Sequence, residues 1–408
     1  MKKVAIFYGD SNGCFPVPAS KGGAVSTLIE HLIGSYKKNS NFSLTIFSYY
    51  DSKAYSLSKQ YPLVTFKWIR VPMVIRLLDK LLYNLAVFLY PKKKTISFRS
   101  IFSLIYMIFK DSYYLRTGHF DKIVIENNIP LAWIVKLSQF KGDIYYHFHN
   151  VPRISGGCRS VFARCKAIFC VSKYVADNVC SEKSAIGLIP RSKALVYYNC
   201  IDTNFFCPTP SDKNVKDRFG IKSCDKVIIF VGRLSEEKGI DQLLKAIPYI
   251  VTQNIKIVIV GSLMFEENGP KDKYQQFIVE FTKQYPQKII FTGYIPQYEL
   301  PQVYAIADVA VLPSMWDEPA GLTMIEALSC QVPLITTKSG GIPEYVGNDA
   351  FVLDRDVSLP RKIAKAIDYI LSNPEKYQSK SQLARQHVVE KFGLNLYYNR
   401  FLELLSVD

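Results

Sequence analysis

Paired cysteines, an export signal and a membrane-length apolar run are all missing from this sequence of 408 residues. The nine cysteines are an odd number, show no CxxC pair and match no zinc-ligand spacing, so they read as free thiols in a reducing compartment. The amino-terminal segment meets a polar loop after about six apolar residues, too few for the apolar region of a signal peptide. The longest uncharged apolar stretches, Leu81 to Tyr90 and Ile101 to Phe109, fall far short of the roughly 20 residues a spanning helix requires. An integral membrane protein of the usual kind is therefore not expected. No GxGxxG follows the first strand, which argues against NAD, and no low-complexity tract or long-period repeat is found.

What is present is globular: 49% apolar and 21% charged residues in a chain too long for one ordinary core, so two domains are expected. The net charge of +16 is carried unevenly. Residues 1–200 hold 28 Lys+Arg against 10 Asp+Glu, whereas residues 201–408 hold 23 against 25. Such asymmetry points to an anionic partner for the first half. It is concentrated between Lys67 and Arg116, where ten basic residues, among them Arg76, Lys80 and Lys92-Lys93-Lys94, meet only Asp79 and Asp111. Two readings remain open there. One is a pair of core helices joined by a solvated basic turn; the other is a surface that rests on anionic lipid. Nucleic acid is not expected, because no RNA or DNA motif accompanies the charge.

The chain reads as repeated strand–helix units. A strand over Lys3 to Tyr8 leads into a loop with Gly22 and Gly23, then a helix over Ala24 to Tyr36; further strands are expected at Ser43–Ser48, Lys122–Glu126, Ile144–His149, Ala167–Val171 and Ala194–Tyr198. Between Asn199 and Lys226 the periodicity lapses, and the domain boundary is placed there. The pattern then restarts with strands at Lys226–Val231, Lys256–Val260, Lys288–Thr292, Val309–Pro313, Val332–Thr336 and Phe351–Leu353. Expected helices between them cover Ile240–Val251, Lys273–Tyr285, Tyr298–Ile306, Leu322–Ser329 and Leu359–Leu371. Apolar strands alternating with helices predict an α/β fold: two Rossmann-like, doubly wound domains facing across a cleft.

Two segments carry the chemistry. In Glu318-Pro319-Ala320-Gly321-Leu322-Thr323-Met324-Ile325-Glu326, a glycine opens a helix between two carboxylates. The amides of Gly321, Leu322 and Thr323 suit a phosphate, and a carboxylate one turn further on can accept both hydroxyls of a ribose. The alternative is that Glu318 serves as a helix N-terminal charge while Glu326 is solvated. In Gly232-Arg233-Leu234-Ser235-Glu236-Glu237-Lys238-Gly239, the arginine and lysine could converge on a diphosphate. The alternative there is a solvated turn with Lys238 paired to Glu236 or Glu237.

Together with Gly340-Gly341-Ile342-Pro343-Glu344, these segments resemble family 4 of the glycosyltransferases, retaining enzymes with the GT-B fold. Gly22-Gly23-Ala24, His147-Phe148-His149-Asn150, Val171-Ser172-Lys173 and Asn199-Cys200-Ile201-Asp202 extend the resemblance over the first half. Cys200 stands where glycine is common and Ala320 where phenylalanine is usual, so the sugar pocket differs in shape. The resemblance implies an acceptor-side domain over 1–200, a nucleotide-sugar domain over 201–390, and a carboxyl-terminal helix over 391–408 returning to the first domain. It assigns Arg233 and Lys238 to the diphosphate, Glu326 to the ribose, Glu318 to the sugar hydroxyls, Gly22 and Gly23 to the donor, and Ile295 to the base. His149, Glu318, Arg233 and Lys238 are thereby the catalytic set. No metal and no cofactor are implied.

The expected activity is hexosyl or N-acetylhexosaminyl transfer from a nucleotide diphosphate sugar, with UDP favoured, to a glycan or lipid-linked glycan of cell-surface polysaccharide. The enzyme is expected in the cytoplasm, peripheral on the inner face of the plasma membrane. Rivals are a sugar epimerase or phosphorylase of the same fold, or a non-catalytic polyanion- or membrane-binding module. Asp354-Arg355-Asp356 has the form of a metal-binding motif but reads as a solvated turn. His147, two strand positions before His149, should share its side of the sheet.

Overall fold

The computed structural model describes residues 2–10, 12–37, 42–90, 98–261 and 273–406. The chain forms two compact units, Met1–Tyr198 with Tyr397–Asp408, and Asn199–Leu396. In the first unit the strands are β1 (Lys2–Phe7), β2 (Phe42–Tyr49), β3 (Thr65–Ile69), β4 (Lys122–Glu126), β5 (Asp143–Phe148), β6 (Ala167–Cys170) and β7 (Ala194–Val196). The helices of this unit are α1 (Ala24–Gly34), α2 (Ser52–Ser58), α3 (Met73–Leu89), α4 (Ile101–Thr117), α5 (Trp133–Ser138), α6 (Arg159–Arg164) and α7 (Lys173–Val179). All strand pairs are parallel, in the order β3-β2-β1-β4-β5-β6-β7. The order reverses between β1 and β4, and in an open α/β sheet the crevice at such a switch point is where ligands bind.

β4 is buried along its whole length and β1 over its last four residues, which is why apolar runs mark them in the sequence. β3 was not expected. Its pattern alternates exposed and half-buried positions, as befits an edge strand with one face wet, and Phe66 stacks on Trp68 at 5.4 Å. The reading of Lys67 to Arg116 as two core helices is corrected for α3, which buries only Asp79 and Ala86. Met73 is 69% and Phe88 81% exposed. α4 does belong to the core, burying Leu104, Met107, Ile108 and Leu115. The Asp79 carboxylate joins the two helices by accepting from the amides of Phe102 (2.8 Å) and Ser103 (3.1 Å) at the start of α4, where the helix dipole favours an anion. Lys92, Lys93 and Lys94 lie outside the described residues.

In the second unit the strands are β8 (Lys226–Val231), β9 (Ile255–Val260), β10 (Ile289–Gly293), β11 (Val309–Leu312), β12 (Leu334–Thr337) and β13 (Ala350–Leu353). Its helices are α8 (Lys213–Arg218), α9 (Ile240–Ala246), α10 (Lys273–Lys283), α11 (Leu300–Tyr304), α12 (Leu322–Ser329), α13 (Ile342–Val346), α14 (Leu359–Leu371) and α15 (Pro374–Phe392). This sheet is also parallel, ordered β10-β9-β8-β11-β12-β13, with its switch point between β8 and β11. The helix expected over Ile240–Val251 ends at Ala246 and gives way to a tight turn over Ile247–Tyr249, because Pro248 has no amide hydrogen to continue the ladder.

A last helix, α16 (Leu394–Ser406), carries the chain back into the first unit. There Tyr397 stacks on Tyr197 at 4.4 Å, and the Leu405 carbonyl accepts from the buried Lys122 Nζ at 2.6 Å. Phe401 is buried against Phe169 and Tyr197. Phe401→Ala should lower stability by about 3 to 5 kcal/mol, read as a fall in the denaturant midpoint. A change below about 0.5 kcal/mol, typical of a surface site, would mean that α16 is not part of this core.

Candidate active site

Several of the residues expected to carry the chemistry lie on loops that follow the switch-point strands, whereas Ile295 follows the edge strand β10 and His149 follows β5. In the second unit the loop after β8 supplies Arg233 and Lys238, and the loop after β11 supplies Glu318. Lys238 Nζ donates to Glu318 Oε1 at 2.5 Å, and the Ser314 hydroxyl donates to the same oxygen at 2.9 Å. The expected alternative partners of Lys238, Glu236 and Glu237, are not the ones it takes. It is Arg233 that reaches Glu237, at 3.5 Å, and it stays largely exposed.

Close backbone approach makes this pair possible. Gly239 has φ +68°, and a Cβ there would run into the Pro313 carbonyl oxygen. The β8 and β11 loops therefore touch through main chain at this point, and a larger residue would separate them. Behind the pair, the Ser314 carbonyl accepts from the hydroxyls of Thr337 (2.5 Å) and Ser339 (2.8 Å). The Glu318 carbonyl accepts from the Gly341 amide at 2.7 Å, and Gly340 leaves room for that contact. Arg355 binds the Met315 carbonyl at 3.0 Å and Asp317 at 2.6 Å. Asp354-Arg355-Asp356 is thus more than a solvated turn, since Arg355 braces the loop that carries Glu318. Asp356 does stay at the surface, accepting from the amide and the hydroxyl of Ser358 just before α14.

Gly321 is the N-cap residue of α12, with no side chain capping the helix start, so Leu322 and Thr323 open its first turn. At the other end Arg385 donates to the Ser329 carbonyl at 2.6 Å, with further bonds to Phe206 and Thr203 carbonyls. The cation thus meets the negative end of the helix. The alternative of a solvated Glu326 is overturned. This residue is buried, and burial raises its carboxyl from the ordinary 4.5 to about 7. Ile295 follows β10 and is buried.

In the first unit Gly22 and Gly23 precede α1, Gly23 being its N-cap residue. His149 follows β5 and is buried beside Glu126, the last residue of β4. His149 Nε2 lies 2.9 Å and His147 Nδ1 3.0 Å from one oxygen, Glu126 Oε2. The two rings sit 4.1 Å apart, as expected for strand positions sharing a face. Burial, together with His147, lowers the His149 pKa from its ordinary 6.5 to about 4. Burial resists ionisation of Glu126, yet the two imidazoles outweigh it and hold its carboxyl below the usual range. Among the described residues this is the one group of three donor side chains close enough to share an ion, with ligand atoms within 4.8 Å. Both ring nitrogens lie within hydrogen-bond distance of the same carboxylate oxygen. The sequence analysis missed Glu126, whose role depends on histidines more than twenty residues further along the chain.

Two parallel sheets of seven and six strands, each with a polar cluster at its switch point, define the GT-B fold. The signature described as glycosyl transferases group 1 matches residues 211–387, most of the second unit, in line with the resemblance to family 4 of the glycosyltransferases. YtcC of Bacillus subtilis, named as a glycosyltransferase, is 28% identical over 92% of this chain and 86% of its own length. The lipopolysaccharide 1,2-N-acetylglucosaminetransferase of Salmonella typhimurium is 29% identical, covering 70% of this chain and 72% of its own. Among solved structures, Anabaena HepE bound to UDP aligns over 100% of both chains at 17% identity with a TM-score of 0.73. The same protein with UDP-glucose gives a TM-score of 0.72.

The buried Glu326 generates a test of sign. Its folded-state pKa lies above the unfolded value, so its contribution to stability is complete below about pH 4.5 and is lost as pH rises through about 7. Glu326→Gln stays neutral. It should match wild type near pH 4.5 and exceed it at pH 8 by roughly 3 kcal/mol, measured by denaturant unfolding. An equal offset at both pH values would show that Glu326 is not held protonated by burial.

Proposed function

We propose that this glycosyltransferase moves a hexosyl or N-acetylhexosaminyl group from a UDP-sugar to a hydroxyl of a glycan or lipid-linked glycan, in cell-surface polysaccharide synthesis. The observation that carries the reading is the Lys238–Glu318 pair at the switch point of the second sheet, beside a helix start suited to phosphate. Lys238 and Arg233 serve the diphosphate, aided by the amides of Gly321, Leu322 and Thr323. Glu318 takes hydroxyls of the donor sugar, Glu326 the ribose, the main chain at Ile295 the base, and Gly22 and Gly23 the donor diphosphate side of the first unit. His149 serves near the reacting carbon.

The chemistry follows from charge. As the glycosidic bond lengthens, negative charge grows on the leaving phosphate and positive charge on the sugar ring, so cations and N–H groups at the phosphate stabilise the transition state more than the ground state. Arg233 and Lys238 supply the positive charge, and the reaction is read as independent of a metal. The acceptor hydroxyl attacks from the side the nucleotide leaves, the departing phosphate takes its proton, and the configuration is retained. UDP is favoured because HepE was solved with UDP and with UDP-glucose. The surface-polysaccharide acceptor is favoured by the name of the Salmonella relative.

The exposed apolar residues of α3, with Arg76 and Lys80 on the same helix, support contact with an anionic membrane. No described helix is long and apolar enough to cross one. The enzyme is accordingly read as peripheral on the cytoplasmic face of the plasma membrane. Vesicles containing anionic lipid should bind the protein at low salt and release part of it at high salt. Equal binding to neutral vesicles would remove the charge from this account.

A thermal-shift panel of UDP-, GDP- and ADP-sugars tests the donor. A ligand bound only by the folded state raises stability, by about 2.7 kcal/mol at a hundredfold excess over Kd. The UDP-sugars should give the largest rise in Tm, and no shift with any nucleotide would overturn the reading. Glu318→Gln should keep the fold while cutting kcat by roughly a hundredfold or more, the scale of losing one charge-stabilising group. Unchanged turnover would take Glu318 out of the catalytic set.

A further inference from the structure

Among the described residues, the first unit holds a buried carboxylate whose hydrogen-bonding partners are two histidines. Glu126 is 2% exposed, and an ionised carboxylate so deep demands strong donors. Its two nearest are imidazole nitrogens, His149 Nε2 at 2.9 Å and His147 Nδ1 at 3.0 Å, both directed at Oε2. A carboxylate can only accept. Both nitrogens must therefore carry hydrogen, and each ring's tautomer follows from the bond its partner nitrogen makes. His149 is the Nε2–H form, with Nδ1 bare. His147 is the opposite form, and its bare Nε2 is buried with no hydrogen-bond partner, a tolerable state for a lone pair but not for an N–H.

The main chain locks the same arrangement. Asn127, at φ +55°, donates its amide to the His147 carbonyl at 2.7 Å, while its side-chain oxygen accepts from the His149 amide at 3.1 Å. Tyr197 packs on the His147 ring at 5.1 Å and keeps it from turning over. Tyr8 and Tyr146 are the further titratable groups that feel the Glu126 charge.

We infer that Glu126 is a positioning residue that fixes His149 as the neutral Nε2–H tautomer, so that His149 presents Nδ1 as a hydrogen-bond acceptor to a hydroxyl of the bound sugar. The last clause rests on the proposed function; the tautomer itself does not. His147 completes the device by occupying the second lone pair of the same carboxylate oxygen, so that Glu126 cannot swing away from His149. Removing the outer hydrogen-bond partner of a metal-binding histidine costs about tenfold to a hundredfold, and a loss on the same scale is expected here.

The test is a long-range proton–nitrogen correlation spectrum of the full chain labelled with nitrogen-15 histidine, with His147→Phe used for assignment. Wild type should show His149 protonated at Nε2 only, and Glu126→Leu should bring up the Nδ1-protonated form. With a donor that turns over, Glu126→Leu should lower kcat about tenfold to a hundredfold with donor KM within about twofold, while Glu126→Asp should recover much of the loss. If Glu126→Leu fails to fold, Glu126→Met, of similar length and with no strong acceptor, serves in its place. A wild-type His149 protonated at Nδ1, or a variant with unaltered tautomer and kcat, overturns the inference. Absence of turnover by wild type with every nucleotide sugar would instead defeat the functional reading, and the spectrum alone would then decide the role of Glu126.

Discussion

Main-chain contacts between the loops after β8 and β11 hold one short ion pair at the switch point of the second unit, Lys238 to Glu318 at 2.5 Å. The two residues come from loops eighty residues apart, and each loop is fixed by main-chain contacts rather than by the pair. Gly239 lets the β8 loop approach the Pro313 carbonyl, Gly340 and Gly341 seat the Glu318 backbone, and Thr337 and Ser339 hold the Ser314 carbonyl. A partly buried pair contributes little net stability once desolvation is counted. On the proposed reading its value lies in placement: a lysine already held beside a carboxylate leaves little ordering to be done when a phosphate and a sugar hydroxyl bind.

The first unit places two imidazoles where the second has a lysine. His147 and His149 both direct a ring nitrogen at the buried Glu126 Oε2. On the inference drawn above, the two N–H donors both stabilise the carboxylate and define the orientation of the rings. The strongly basic balance of this half of the sequence is therefore not spent at its switch point. It lies on surfaces such as α3, where apolar and cationic side chains stand together in solvent.

Much of the fold was legible because parallel strands buried on both faces leave apolar runs that end at turn residues. Lys122–Glu126 and Lys226–Val231 have the expected bounds. β3 escaped because an edge strand with one wet face alternates weakly over five residues. α3 and α4 look alike in composition, yet only α4 is core, since what separates them is which face meets the sheet. Arg233, Lys238, Glu318 and Glu326 could each be named from local motifs. The pairing of Lys238 with Glu318, the bracing by Arg355 and the cap that Arg385 places on α12 could not, because each depends on residues brought together across long stretches of chain. Glu126 illustrates the same limit, being an ordinary strand end until β5 is laid beside it.

The central claim is that Lys238, held at Glu318, receives the diphosphate of a UDP-sugar. Calorimetric titration of UDP into wild type and into Lys238→Met measures this most directly. The variant, with its fold intact, should bind UDP more weakly by about 1.5 to 3 kcal/mol, the worth of a charged hydrogen bond. Equal affinity for UDP in the two proteins would contradict it.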